Sequence, residues 1–87
     1  MPLTFVPLKE AFDAGRLAIR FRGYDRGTEV VCEISCETLQ RHFALRGTEE
    51  VHALGRFSAN LPTILDKASK KYDRAGAPVV LRPADFP

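Results

Sequence analysis

Apolar and polar residues alternate along two neighbouring stretches of the chain, "LAIRFRG" at 17–23 and "TEVVCEI" at 28–34. This period of two predicts half-buried β-strands, and the intervening "YDRG" predicts a hairpin turn. Pairing Gly23 with Thr28 would fix the register. The pairs that follow are Leu17 with Ile34, Ile19 with Cys32 and Phe21 with Val30 on one face, and Arg22 with Glu29 on the other.

The pattern then changes to a helical period. Ser35 is a suitable N-cap for a first helix over 36–46, which Gly47 is expected to end. Its apolar stripe would consist of Cys36, Leu39 and Phe43.

A longer helix is predicted over 49–75, with Thr48 as its N-cap and Gly76 at its end. Its apolar positions keep one phase from Leu54 to Tyr72, straight through Pro62. Because proline cannot donate the helical hydrogen bond, we expect a kink near Pro62 or two nearly coaxial helices.

The segment "PVVLRP" predicts a third strand over 78–82, antiparallel beside the 28–34 strand or, alternatively, paired with 17–23. Residues 1–16 are expected to form an irregular arm, with a short strand near 3–6 as an option. The predicted fold class is therefore α+β, with both helices on one face of the sheet. The arm would be pinned to the core by Leu3, Phe5 and Phe12.

Length and composition narrow the class of protein. The 87 residues fit one domain over 1–87, and the net charge of +2 is too small to imply a polyanionic partner by itself. The start has no signal-peptide pattern, and no apolar stretch is long enough for a membrane span. We therefore expect a cytoplasmic protein without membrane contact, in which two cysteines are too few for a disulfide scaffold.

Two cysteines and two histidines raise the hypothesis of a zinc or thiol site. The histidines are separated by nine residues, which does not fit the compact zinc motifs. Both cysteines fall in phase with apolar neighbours, so we interpret them as core residues and expect no metal and no cofactor. The residues of this hypothesis are Cys32, Cys36, His42 and His52.

Catalysis by a cysteine is a second hypothesis, with Cys36 as nucleophile and His42 as its base. Six helical positions separate the two side chains by about 120° and roughly 9 Å along the axis, which is too far for a hydrogen-bonded pair. The sequence also lacks a nucleophile elbow, a phosphate loop and a dinucleotide fingerprint. We therefore expect no enzyme and no catalytic residues.

Two surfaces remain for partners. The basic end of the long helix is a candidate for phosphate contacts. The nearby face of the predicted sheet offers no aromatic side chain for base stacking, so nucleic-acid binding is the secondary hypothesis. A small thiol or metal-binding protein is the third hypothesis. The basic residues are Lys67, Lys70, Lys71 and Arg74.

The leading hypothesis is a noncatalytic module for protein interaction or regulation. The sheet face away from the helices would mix valines with both signs of charge, and the sheet would have open edges. Either feature could support a homodimer, and the alternative is a monomer with a hydrated face. The residues of this candidate surface are Arg20, Arg22, Glu29, Val31, Glu33, Val80 and Arg82.

The order of "AIRF", "VVCEISCETLQRHF", "KKYDRAG" and "VVLRPADF" resembles the bacterial domain-of-unknown-function family 1488. The resemblance covers about residues 12–86, and its most specific part runs from the second strand through Ser35, Glu37, Leu39 and Phe43. It implies a small cytoplasmic α+β domain, and it brings no activity or ligand to this chain.

Overall fold

A computed structural model describes residues 3–87 of the chain. It contains three strands, then three helices, then a fourth strand. The strands form one mixed sheet in the order β1-β2-β3-β4, and the helices lie on one side of it, which confirms the predicted α+β class. A 3-10 turn over Pro83–Asp85 follows the last strand. The elements are β1 (Ala11–Asp13), β2 (Ala18–Asp25), β3 (Thr28–Ser35), α1 (Cys36–His42), α2 (Glu50–Ala59), α3 (Leu61–Ala75) and β4 (Val79–Leu81).

The β2–β3 hairpin is present, but its predicted register was wrong by two residues. Gly23 pairs with Val30 and Asp25 with Thr28, because Arg26 and Gly27 alone form the turn. Both turn residues have positive φ, 52° and 85°, as a tight two-residue hairpin requires. A shift of two residues keeps Ile19, Phe21, Val30, Cys32 and Ile34 on the buried face, as predicted. Leu17 was wrongly predicted to join them: β2 begins at Ala18, and Leu17 before it has a φ of 48° and is 45% exposed.

The N-terminal arm is more regular than predicted. It runs along the free edge of β2: Thr4 bridges Tyr24, Leu8 O accepts from Arg22 N at 2.8 Å, and β1 pairs with Ala18–Arg20. The expectation of an irregular arm was therefore wrong over β1, because β2 offers unpaired backbone groups that the arm satisfies.

Gly23 explains how the arm reaches the core. A Cβ at this position would lie 2.9 Å from Leu3 Cδ1 and 3.1 Å from Phe5 Cε1, so only glycine admits both side chains. Leu3 is buried, and Phe5 contacts the ring of Phe21 at a centroid distance of 6.2 Å.

The first helix ends earlier than predicted, at His42 rather than at residue 46. Ala44 takes the left-handed conformation (φ 60°), and Leu45 N donates to Leu39 O at 3.1 Å. The early turn places Leu45 in the core, and this burial stabilises it. Gly47, which was predicted to end the helix, lies farther along the loop. At the other end Ser35 is the N-cap, as predicted, and accepts from Thr38 N.

The long second helix consists of two helices, α2 and α3, that are separated by Asn60, and not of one kinked helix. The Asn60 side chain donates to Arg56 O at 2.9 Å, which satisfies a carbonyl at the end of α2. Pro62 falls in the first turn of α3, where the missing N–H is not needed. The predicted cap at Thr48 was also wrong: Glu49 is the N-cap of α2 and makes no side-chain capping bond.

The last strand, β4, pairs with β3 as predicted, but in parallel instead of antiparallel orientation. Parallel neighbours need a long crossover connection. The three helices between β3 and β4 provide one, so β4 begins at the same end of the sheet as β3. The Thr38 hydroxyl holds β4 in place by donating to Leu81 O at 3.0 Å. Since that proton is used, the Ser35 hydroxyl donates to Thr38 Oγ1 at 2.8 Å.

Thr38→Val is expected to lower the free energy of unfolding by about 1–3 kcal/mol, because Leu81 O would lose its donor inside the core. Urea denaturation followed by circular dichroism measures the change. Thr63→Val is the matched control, since Thr63 is exposed on α3, and it should change the value by less than about 0.5 kcal/mol. Equal effects of the two substitutions would contradict the assigned role of Thr38.

Candidate interaction surface

The sheet face opposite the helices, here called the outer face, carries the alternate residues of all four strands. Val79 and Leu81 of β4 are buried in the core, so Val80 between them belongs to the outer face. The structure places all seven residues of the predicted interaction surface on or beside this face, but their environments differ. They are Arg20, Arg22, Glu29, Val31, Glu33, Val80 and Arg82.

One half of the outer face is closed by ion pairs. Glu33 is only 8% exposed, and both its carboxylate oxygens bind Arg16, with Nε–Oε1 at 2.8 Å and Nη2–Oε2 at 2.9 Å. Arg20 adds a weaker contact to Glu33 at 3.5 Å and another to Asp13 at 3.7 Å. This half of the face is therefore electrostatically satisfied within the chain.

The partners hold one another in their charged forms. The hydrogen bonds from Arg16 lower the pKa of Glu33, while burial opposes this shift. The same pair raises the pKa of Arg16. Because Glu33 is nearly buried, losing the arginine would leave a carboxylate with too few donors.

Arg16 was missed by the sequence reasoning, which assigned it to the irregular arm. Its backbone N–H donates to Asp13 Oδ1 at 3.1 Å, so that "DAGR" forms a tight turn after β1. The aspartate three residues before the arginine, together with Gly15, is the signal that could have indicated this turn.

The other half of the outer face is open. Arg22 contacts Glu29 at 3.5 Å through a single pair of atoms, and its buried Nη1 has no hydrogen-bond partner within residues 3–87. Val31 is 40% exposed on β3 and pairs with Arg22 on β2. Val80 on β4 lies directly beside Glu33 and diagonal to Val31, so it borders both halves. Arg82 follows β4 at the end of the sheet away from Val31; it is exposed and forms no ion pair with residues 3–87.

The basic residues of α3 are engaged within the chain. Lys71 Nζ binds Val80 O and lies 2.7 Å from Asp85 Oδ2, and its side chain is only 19% exposed. The other three lie next to Phe86, Asp66 and Asp85. These residues are Lys67 at 5.6 Å from the ring centroid, Lys70 at 3.0 Å and Arg74 at 3.8 Å from the carboxylates.

Asp85 is the centre of this basic group. Burial raises its pKa, but the hydrogen bonds from Lys71 Nζ and from Arg82 N more than offset that effect, so the pKa lies below its ordinary range. Lys71 therefore fastens β4 and the following turn to α3. Low affinity for nucleic acid stays a prediction, and these contacts reduce the number of free cations that could support binding.

The two cysteines are core residues in the structure. Cys32 is 0% and Cys36 2% exposed, and both are free thiols. Burial raises the pKa of Cys32 to about 11 and also raises that of Cys36. Thiolate, the form that attacks electrophiles and binds metals, is therefore disfavoured at both positions.

The two histidines have separate local partners. His42 Nε2 lies 2.9 Å from Pro83 O, and His52 Nδ1 lies 3.6 Å from Glu49 Oε1. Across residues 3–87 no three histidine, cysteine or carboxylate groups come together as metal ligands. The same part of the chain contains no helix with the length and apolar content to cross a bilayer.

The family described as "Protein of unknown function (DUF1488)" matches residues 3–81. The chain belongs to this family. A crystal structure of a DUF1488 protein of unknown function from Shewanella loihica PV-4 shares 19% sequence identity, with a TM-score of 0.80 over 91% of this chain and 90% of that chain. At this identity the similarity establishes a common fold. The search of curated proteins found no match.

For this DUF1488 protein, Glu33→Gln should lower the free energy of unfolding at pH 7 by about 1–3 kcal/mol, because a charged pair with Arg16 is lost. The folded pKa of Glu33 is lowered, so the contribution is present above the unfolded value of about 4.3 and disappears as the pH falls. Urea denaturation of both proteins at pH 7 and pH 3 measures the difference.

Glu37→Gln provides the control, since Glu37 forms an exposed pair with Arg41 at 3.2 Å on α1. Its effect should stay below about 1 kcal/mol. A Glu33→Gln difference as large at pH 3 as at pH 7 would contradict the assignment.

The native protein should react with a thiol reagent such as DTNB at pH 8 only as fast as it unfolds, because both sulfurs are buried and protonated. Denatured protein should release two equivalents at once. Rapid modification of either cysteine in the folded protein would refute the core assignment.

Proposed function

We propose that this protein is a noncatalytic interaction module and that it forms a homodimer through the open half of the outer face. The observation that carries the proposal is Val31, an apolar side chain 40% exposed in the interior of the sheet, on a face that no helix covers. Arg22 pairs with it across β2, and Glu29 lies two residues before it on the same face of β3. The proposed contact is centred on Val31, Arg22 and Glu29 and extends toward Val80 and Arg82.

A second copy suits this surface because the surface is complementary to itself. In a two-fold contact, Arg22 of one protomer can meet Glu29 of the other, and the reverse contact follows by symmetry. The internal Arg22–Glu29 contact is long, at 3.5 Å. A closer contact between these residues across the dimer would strengthen the ion pair while the second copy covers Val31.

Pairing through the sheet edges is less favourable. The edge strands β1 and β4 have three residues each, and the arm occupies the free edge of β2. Two carbonyls of β4, at Val80 and Leu81, already accept from Lys71 and Thr38. Short edges with occupied carbonyls offer little template for strand addition.

Sedimentation at tens of micromolar should show a dimer, and Val31→Lys should convert it to a monomer because a charge would be buried in the contact. Val51→Lys is the matched control, as Val51 is 70% exposed on α2, away from the outer face, and this variant should stay dimeric. A wild-type protein that remains monomeric up to about 100 μM would contradict the proposal.

A charge exchange tests the pairing itself. Glu29→Arg alone should weaken the dimer at least about tenfold, because like charges would then face each other across the contact. Adding Arg22→Glu should restore it. If the double variant stays as weak as the single one, the two residues do not meet across the interface.

A further inference from the structure

A cleft of about 430 Å³ lies on the helix side of the molecule, between the loop after α1 and the exposed face of α2. Here it is called the α2 cleft. It is distinct from the outer face, and its volume lies within the range of small-molecule sites. Its lining consists of Ala44, Leu45, Arg46, Val51, His52, Gly55, Arg56 and Ala59.

Two arginines in the lining of the α2 cleft, Arg46 and Arg56, are without an ion pair in the described part of the chain. Arg41 on the neighbouring helix, by contrast, pairs with Glu37. His52 faces Glu49 at 3.6 Å and is therefore not the main attraction for an anion. Two free guanidinium groups around one depression favour a carboxylate, which arginine binds with two parallel hydrogen bonds.

The body of the α2 cleft is apolar. Val51 is 70% exposed there, and Ala59 lies two helical turns farther along the same face of α2. The opposite wall is firm because the Leu45 side chain beside it is buried in the core and Gln40 Nε2 binds Gly47 O at 2.7 Å. An apolar group of a bound carboxylate ligand would pack against these residues of α2 without a rearrangement of the cleft.

Gly55 supplies a second, independent observation. A glycine in the interior of a helix costs about 1 kcal/mol relative to alanine. The usual reason for it, close packing of another element, does not apply here, because a Cβ at Gly55 would meet no atom within 4 Å. The missing side chain instead deepens the α2 cleft at its middle.

We propose that the α2 cleft binds a small organic anion that has one carboxylate and an apolar body. Arg46 and Arg56 hold the carboxylate, and the body lies along Val51, Gly55 and Ala59. This site goes beyond the proposed dimer and does not depend on it, because the outer face lies on the other side of the sheet.

The test uses ¹⁵N-labelled full-length protein titrated with sodium hexanoate up to about 50 mM at constant ionic strength. Saturable shifts should be concentrated in the amides of 44–46 and 51–59. Acetate and hexan-1-ol separate the two parts of the ligand, and each should bind at least about tenfold more weakly than hexanoate.

Two variants localise the site. Arg56→Gln should weaken hexanoate at least about tenfold, because a charge-assisted hydrogen bond is lost. Gly55→Leu should fill the α2 cleft and have a similar effect, and its higher helix propensity keeps the protein folded. Ser58→Leu is the control, since Ser58 is exposed on the same helix but does not line the cleft, and it should bind hexanoate like the wild type.

Three results of the titrations would overturn the proposal, and a fourth comes from varying the protein concentration. The first three are the absence of saturable shifts, equal binding of hexan-1-ol, and unchanged hexanoate affinity of Gly55→Leu. Shifts of the cleft amides with protein concentration alone would also overturn it, because a second copy would then occupy the site.

Discussion

The ring of Phe21 on β2 packs against that of Phe57 on α2 at a centroid distance of 5.2 Å, and both side chains are completely buried. This contact joins β2 to α2, and both rings belong to the single buried core that the sheet and the helices share. The strict alternation along β2 and β3 sends one set of side chains into this layer and the other set to the outer face. A small domain with a single helical layer can bury only one face of its sheet, so the other face must be stabilised by other means.

The outer face is stabilised in two different ways. Around Glu33 the arginines fold back over the sheet, so that a nearly buried carboxylate has donors for both its oxygens. Around Val31 the neighbouring residues leave the valine 40% exposed. The contrast between a satisfied half and an open half is the physical basis for proposing a partner at the second one, and it explains why the charged residues of this sheet do not all contribute to binding.

The periodicity of the sequence was sufficient to predict which face of the sheet most strand residues occupy. It was insufficient to predict the register and the orientation of the paired strands. The hairpin, the cap at Ser35, the helix end at Gly76 and the presence of a strand after the helices were predicted correctly. The sheet has four strands where three were predicted, because the N-terminal arm contributes β1. The register was wrong because it depends on Arg26 accepting a positive φ, which its residue type does not indicate. The parallel orientation of β4 could not be read from three residues, since it is decided by the path of the helices and by the bond from Thr38.

The candidate surfaces were predictable to a similar extent. The alternation of apolar and polar residues placed Val31 and its charged neighbours on one face. It could not show that Arg16 would form an ion pair with Glu33 or that Lys71 would donate to a carbonyl of β4. Those contacts join different elements, and the periodicity within one element does not indicate them. The α2 cleft was not predicted at all, because it arises from the early end of α1 at His42 and the turn at Ala44.

The central claim is that a second copy covers the open half of the outer face, and intermolecular NOEs in a dimer of labelled and unlabelled chains test it most directly. The account predicts contacts from the methyl groups of Val31 and Val80 to side-chain protons of the unlabelled copy, including those of Arg22. Intermolecular contacts that instead involve Val51, or a complete absence of such contacts at a concentration where the protein is dimeric, would contradict it.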